Sequence, residues 1–169
     1  VGGEFEAGEL GRAFSALVGD VAGTWIQHAT GRPTICFAVD RQHGQRLAAE
    51  YARRGIRARF IHGDDRADTR SDALDQLRRR RLDVLVNVGL FVEGLDVPEI
   101  GCVQLAVATM SLSRYLQMVG RGVRTATGKR DCMILDHGSN VERHGLPDDD
   151  RLWSLDEDLT VASAAPIRT

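Results

Sequence analysis

The residue types able to do chemistry in this 169-residue sequence gather in two short segments. One runs Gln117-Met118-Val119-Gly120-Arg121-Gly122-Val123-Arg124. At helical spacing Arg121 and Arg124 share a face, with Gln117 one turn earlier, so two guanidinium forks and an amide converge on one point. Such a group suits an anion whose charge is shifting, a polyphosphate above all. A solvated basic face or a ladder of ion pairs is the plain structural reading. Gly120 and Gly122 weigh against it, because each glycine inside a helix costs about 1 kcal/mol that a solvated face has no reason to carry. Close approach of a ligand or partner backbone explains them better. The other segment is Glu93-Gly94-Leu95-Asp96-Val97-Pro98. A glycine two positions before an aspartate lets a backbone come near a ligand while the carboxylate accepts from a sugar hydroxyl. A simple bend with an Asx cap is the structural alternative there.

Several other chemistries are disfavoured. Gly128-Lys129 is the only Gly-Lys pair and is followed by Arg130, so no phosphate-cradling GxxxxGK[ST] loop is present. No GxGxxG follows a predicted strand, and GxSxG and HExxH are absent. Cys36, Cys102 and Cys132 each sit in an apolar run without ligand spacing, and are expected to be small core residues. A nucleophilic role for Cys36 or Cys102 would require an exposed thiol of low pKa beside a histidine. No run reaches the roughly 18 apolar residues a membrane span needs, and Val1–Leu10 carries three Glu and no basic head, so neither span nor signal peptide is expected and the chain reads as cytoplasmic.

The elements that must position these segments follow from periodicity. Apolar residues from Leu10 to Trp25 recur at helical spacing, which predicts a helix over 9–30, interrupted near Gly19. Thr34–Val39, Ala58–Ile61, Val84–Val88, Cys102–Ala108 and Asp131–Leu135 read as strands. Helices are expected over 40–54, 69–80 and 113–123. Strands apolar on both faces and separated by helices indicate an α/β fold with a mostly parallel sheet covered on both sides. At 43% hydrophobic and 27% charged the composition is that of a globular domain, and a net charge of -2 excludes a bulk-basic nucleic-acid binder. Residues 1–140 carry 19 basic and 17 acidic side chains, whereas 141–169 carry 3 and 7, so the tail is an acidic appendage without sustained period. The run Arg78-Arg79-Arg80-Arg81 closes a predicted helix, where cations favour the dipole, and is read as structural.

In order and content these segments resemble the second RecA-like domain of superfamily 2 helicases and translocases. Pro33–Val39 is similar to motif IV, Ile61-His62-Gly63 to motif IVa, Val86–Pro98 to motif V, and Gln117-x-x-Gly-Arg-x-x-Arg124 to motif VI. Gln117 stands where many relatives carry His, a variant closer to restriction-type and phage-type DNA translocases than to DEAD-box RNA helicases. Val88 stands where many carry a backbone-contacting Thr. The resemblance implies a RecA-like three-layer sandwich over 32–139, with a helical lead-in over 1–31 and an acidic extension over 140–169.

It further implies that ATP lies in a cleft between two RecA-like domains. The first, an N-terminal P-loop domain not contained in this sequence, would hold most of the Mg²⁺ contacts. This chain would supply Arg124 as the finger on the transferring phosphate, Arg121 beside it, Gln117 orienting them, and Gly94, Asp96 and Glu93 along the ribose and phosphate edge. DNA, with RNA as the alternative track, would touch Arg41, Gln42, His62, Gly63, Asn87, Val88 and Gly89. His62 could equally be a loop histidine without a role. Phosphate contacts of this kind carry no sequence information, which suits a motor. The fragment alone is expected to be inactive as an ATPase. The competing reading is a non-catalytic RecA-like domain that binds nucleic acid or acts as a scaffold.

Overall fold

The structure, a computed structural model, describes residues 18–89 and 97–151. Helix α1 (Val18–His28) leads into strand β1 (Thr34–Ala38), helix α2 (Arg41–Arg53) and strand β2 (Ala58–His62). Helix α3 (Ala67–Arg78), strand β3 (Val84–Val88), strand β4 (Cys102–Ala106), helix α4 (Leu112–Gly120), strand β5 (Met133–Asp136) and helix α5 (Asn140–His144) follow. The five strands form one parallel sheet in the order β2-β3-β1-β4-β5.

The central strands β1 and β4 are buried along their whole length, which is why their sequences show no polar alternation. Opposite faces of the sheet carry separate cores. Ile35, Phe37, Leu85, Val103 and Leu105 pack with Ala73 and Leu77 of α3 and Tyr115, Met118 and Val119 of α4. Cys36, Ala38, Val84, Val86 and Cys102 pack with Val21 and Trp25 of α1 and Leu47 and Tyr51 of α2. The result is the three-layer α/β/α sandwich expected.

Differences from the sequence-based expectation lie at element ends. Helix α1 is continuous from Val18 to His28, and the rest of the expected 9–30 helix ahead of Val18, on the far side of the expected interruption near Gly19, lies outside the described residues. Strand β4 ends at Ala106 rather than 108, and β5 begins at Met133 rather than 131 because Asp131 instead pairs with Arg32 at the amino end of the sheet. Asp40 and Ser111 start α2 and α4 by accepting hydrogen bonds from the backbone N–H of His43 and Arg114. The tail expectation is corrected for residues 140–151. Asn140 is buried, its Oδ1 accepting from Thr109 N–H and its amide donating to Val107 O, while His144 stacks on Tyr115 at 5.4 Å. Only short α5 is helical there, which is too little for a periodic sequence signal.

Candidate functional site

Helix α4 lies in the crossover between the parallel strands β4 and β5 and ends at Gly120, three residues earlier than the sequence pattern suggests. Arg121 is its C-cap, with helical dihedrals of φ -68° and ψ -29°, and Arg124 lies beyond the helix. The expectation that Gln117, Arg121 and Arg124 share one helical face is thereby corrected. Only Gln117, exposed and within 3.5 Å of Ser113 Oγ, stands on the helix proper. The physical reason is Gly122. A Cβ there would lie 2.4 Å from Cys132 Sγ and 2.5 Å from Val103 Cγ2, so the chain turns to press bare backbone against β4 and the approach to β5. That close approach is to the protein's own core, not to a ligand. Gly120, by contrast, faces open space, with nothing within 4 Å of the place a Cβ would take.

The turn leaves Arg121 half-buried and puts Arg124, exposed, on a shallow depression of about 240 Å³ lined by Gly122–Thr125 and Lys129–Cys132. The depression adjoins the return of the β3–β4 connection, where Val97 and Ile100 are buried in the core and fix Pro98 between them. Lys129 joins the two. Its Nζ donates to the carbonyls of Pro98 at 3.0 Å and Arg124 at 2.7 Å, and also to that of Gly122. Exposed basic side chains beside a depression fit an anionic phosphate chain. Glu93, Gly94 and Asp96 lie outside the described residues. Among the described residues no group of three or more His, Cys, Asp or Glu could hold a metal ion.

The candidate nucleic-acid residues come together at the carboxyl edge of three adjacent strands. Register pairs His62 with Val88 and Phe37 with Asn87, so the exits of β2, β3 and β1 are neighbours. Gly63 and Gly89 are exposed there, Gly89 at φ +72°, and Arg41 and Gln42 open α2 on the surface. Val88 and His62 are partly buried. Two residues need revision. Asn87 is fully buried, its amide donating to Cys36 O, and its Oδ1 has no hydrogen-bond partner among the described residues. Strand alternation turns it into the sandwich, so it presents no side chain to a phosphate. Arg41 is held by Asp64 in an exposed ion pair. Asp65 is structural, accepting from His62 N–H at 2.7 Å.

Arg70, which sequence reasoning passed over, braces this edge by donating to the carbonyls of Gly63 and Asp65, each at 2.7 Å. The arginine run behaves as expected of a helix end. Arg79 pairs with Asp75, Arg78 lies 3.9 Å from Glu99, and Arg80, at φ +59°, donates to Gly31 O. Lys129 is the only lysine among 22 basic residues, a bias of composition that by itself assigns it no role; its contacts do.

The thiol reading is not supported. Cys36 and Cys102 are fully buried, and burial raises both thiols, Cys102 to about 12. Cys132 is half-buried rather than a core residue, and burial raises it as well. Poorly ionised thiols are poor nucleophiles. No helix among the described residues is long and apolar enough to cross a membrane.

Comparison with known proteins adds a family. Residues 15–126 match the helicase conserved C-terminal domain. The chain is 34% identical over 140 residues to a putative mitochondrial ATP-dependent helicase irc3 of Schizosaccharomyces pombe, an alignment covering 82% of this chain and 23% of that protein. It is 32% identical over 137 residues to the 51.5 kDa protein of a Lactococcus phage (isolate 7-9), covering 81% and 30%. It therefore spans about a quarter to a third of the length of these curated relatives. In fold it is similar to the E. coli DEAD-box protein SrmB, with a TM-score of 0.63 at 22% identity, covering 76% of this chain and 74% of that one. The family match begins ahead of α1 and runs through the Arg121–Arg124 turn, and the parallel sheet has the matching architecture. The chain belongs to the helicase conserved C-terminal domain family, with the RecA-like α/β fold of such domains.

Proposed function

We propose that this domain is the second motor half of an ATP-dependent nucleic-acid helicase or translocase, completing a nucleotide site whose other wall is a P-loop domain of the same protein. The observation that carries this reading is the emergence of Arg121 and Arg124 from the end of α4 beside the Pro98 return. That end is opposite the carboxyl edge where His62, Gly63, Val88 and Gly89 cluster. One rigid sheet thus carries a nucleotide-side rim and a separate track-side rim, as a motor needs.

ATP with Mg²⁺ supplies the phosphoryl group and its leaving group; the metal is assigned to the P-loop domain. The chain's own residues provide positioning and charge. Arg124 is the finger on the transferring phosphate, with Arg121 its neighbour. Glu93, Gly94 and Asp96 line the ribose and phosphate edge. An arginine supplied across such a cleft is worth roughly 10³–10⁵ in rate because it meets charge that grows in the transition state. Gln42, Gly63, Val88 and Gly89 touch the phosphates of DNA, or of RNA, chiefly through backbone and without reading bases.

The test is Arg124→Ala in the full-length protein. DNA-stimulated ATP turnover should fall by roughly 10³-fold or more while ATP still binds. Unchanged turnover would remove the finger assignment. Salt-sensitive DNA binding by this chain, combined with no dependence of turnover on either arginine, would favour the scaffold reading instead.

A further inference from the structure

Twenty-one of the 22 basic residues of this chain are arginine, and the single lysine is Lys129. It follows Gly128, whose φ of +78° closes the turn begun at Ala126, with Lys129 N–H donating to Ala126 O at 3.1 Å. The turn aims Nζ at three carbonyl oxygens, those of Pro98, Gly122 and Arg124. An ammonium carries three donors and no acceptor, so three carbonyls occupy it completely. A guanidinium presents its donors in one flat fork, which matches coplanar acceptors and not three carbonyls from separate peptide planes. A lysine in an otherwise arginine-using chain is therefore what this cage requires.

The caged carbonyls belong to two stretches far apart in sequence. Pro98 lies in the connection between β3 and β4, whose sequence also carries Glu93, Gly94 and Asp96, while Gly122 and Arg124 belong to the turn after α4. Gly122 is already fixed against Val103 and Cys132, but Arg124 and its neighbours Val123 and Thr125 lie outside the helix, Val123 and Arg124 exposed. The Lys129 ammonium ties the Arg124 carbonyl to those of the buried Gly122 and of Pro98.

We propose that Lys129 is a positioning residue for the arginine finger, holding the Arg124 backbone in register with the Pro98 return. The proposal rests on the reading of Arg124 as the finger. Lys129 touches no substrate in this scheme. It makes the guanidinium arrive where transition-state charge develops, so turnover depends on it more than nucleotide affinity does, since a misplacement of about 1 Å costs on the order of 100-fold in rate.

The experiment compares Lys129→Met, Arg124→Ala and the double variant in the full-length protein, with DNA-stimulated ATP turnover and the affinities for ADP and for ADP with aluminium fluoride as readouts. Lys129→Met keeps the stem and removes the donors. It should lower kcat by roughly 10–100-fold, leave KM for ATP and ADP affinity within about twofold, and weaken the aluminium fluoride complex in step with kcat. In the Arg124→Ala background it should add no further loss, which a merely structural role would not produce. Lys129→Gln, with two donors, serves where the Met variant does not fold and should retain more activity. Parental kcat in a folded Lys129 variant, with Arg124→Ala inactive, would overturn the positioning role and leave the finger reading intact. Equal, additive losses in both backgrounds would overturn it too. Full turnover in Arg124→Ala would instead overturn the finger reading itself.

Discussion

At the scale of single residues, burial decides behaviours that residue type leaves open. His43 is 2% exposed and accepts from Val39 N–H through Nδ1 at 3.3 Å. Burial, helped by Arg46 and opposed by Asp40, lowers its pKa from 6.5 to about 4. The native state therefore favours the neutral ring, and the unfolded chain takes up the proton first as pH falls. Stability should be full above about pH 6.5 and decline toward pH 4, by on the order of 3 kcal/mol for this group. Urea titrations across that range would show it, and His43→Asn, which keeps an acceptor and loses the titration, should flatten the slope. The two glycines around Arg121 separate equally clearly. Gly122→Ala must displace Cys132 and Val103 and should cost roughly 1–3 kcal/mol in denaturant unfolding. Gly120→Ala, ending α4 with open space around it, should gain up to about 1 kcal/mol.

At the scale of elements, α1 is tied to the sheet by a buried polar chain. Tyr51 of α2 donates to Gln104 Oε1 on β4, and the Gln104 amide donates to Val21 O of α1 at 2.7 Å and lies 3.0 Å from His137 Nε2. Trp25 Nε1 donates to Thr34 Oγ1 at 2.6 Å. Tyr51→Phe strands one Gln104 acceptor and should cost about 1–3 kcal/mol. Tyr51→Phe combined with Gln104→Met should cost less than the sum of the two, because they share one bond; equilibrium unfolding of the three variants checks this. A glutamine within Cys102–Ala106 gives no sequence hint of such a role, since its partners lie 53 and 83 residues away.

At the scale of the whole molecule, a sheet covered on both faces seals the thiols. Cys36 and Cys102 sit in the core shared with α1 and α2. A thiol reagent should modify neither in the native chain and both after denaturation, with half-buried Cys132 intermediate. Rapid native labelling of Cys36 would contradict the sandwich. The same covering leaves two open rims: strand exits β2, β3 and β1 at one, and the turn after α4 with the Pro98 return at the other.

Most of the fold was legible in the sequence because a two-sided parallel sheet demands apolar strands, and Val84–Val88 was bounded by its own run to the residue. The helicase family was legible too, through the order of the Gly94-x-Asp96 motif and the Gln117–Arg124 segment, since order along the chain survives without coordinates. Where α4 stops was not. Helical spacing extends the helix to Val123, and only contact between Gly122 and the side chains of Val103 and Cys132 ends it at Gly120. Nor could spacing reveal that Asn87 is turned inward to Cys36 or that Lys129 gathers three carbonyls from two distant stretches. Periodicity reports each residue's relation to its chain neighbours; these outcomes depend on atoms that only tertiary packing brings within hydrogen-bond or van der Waals reach.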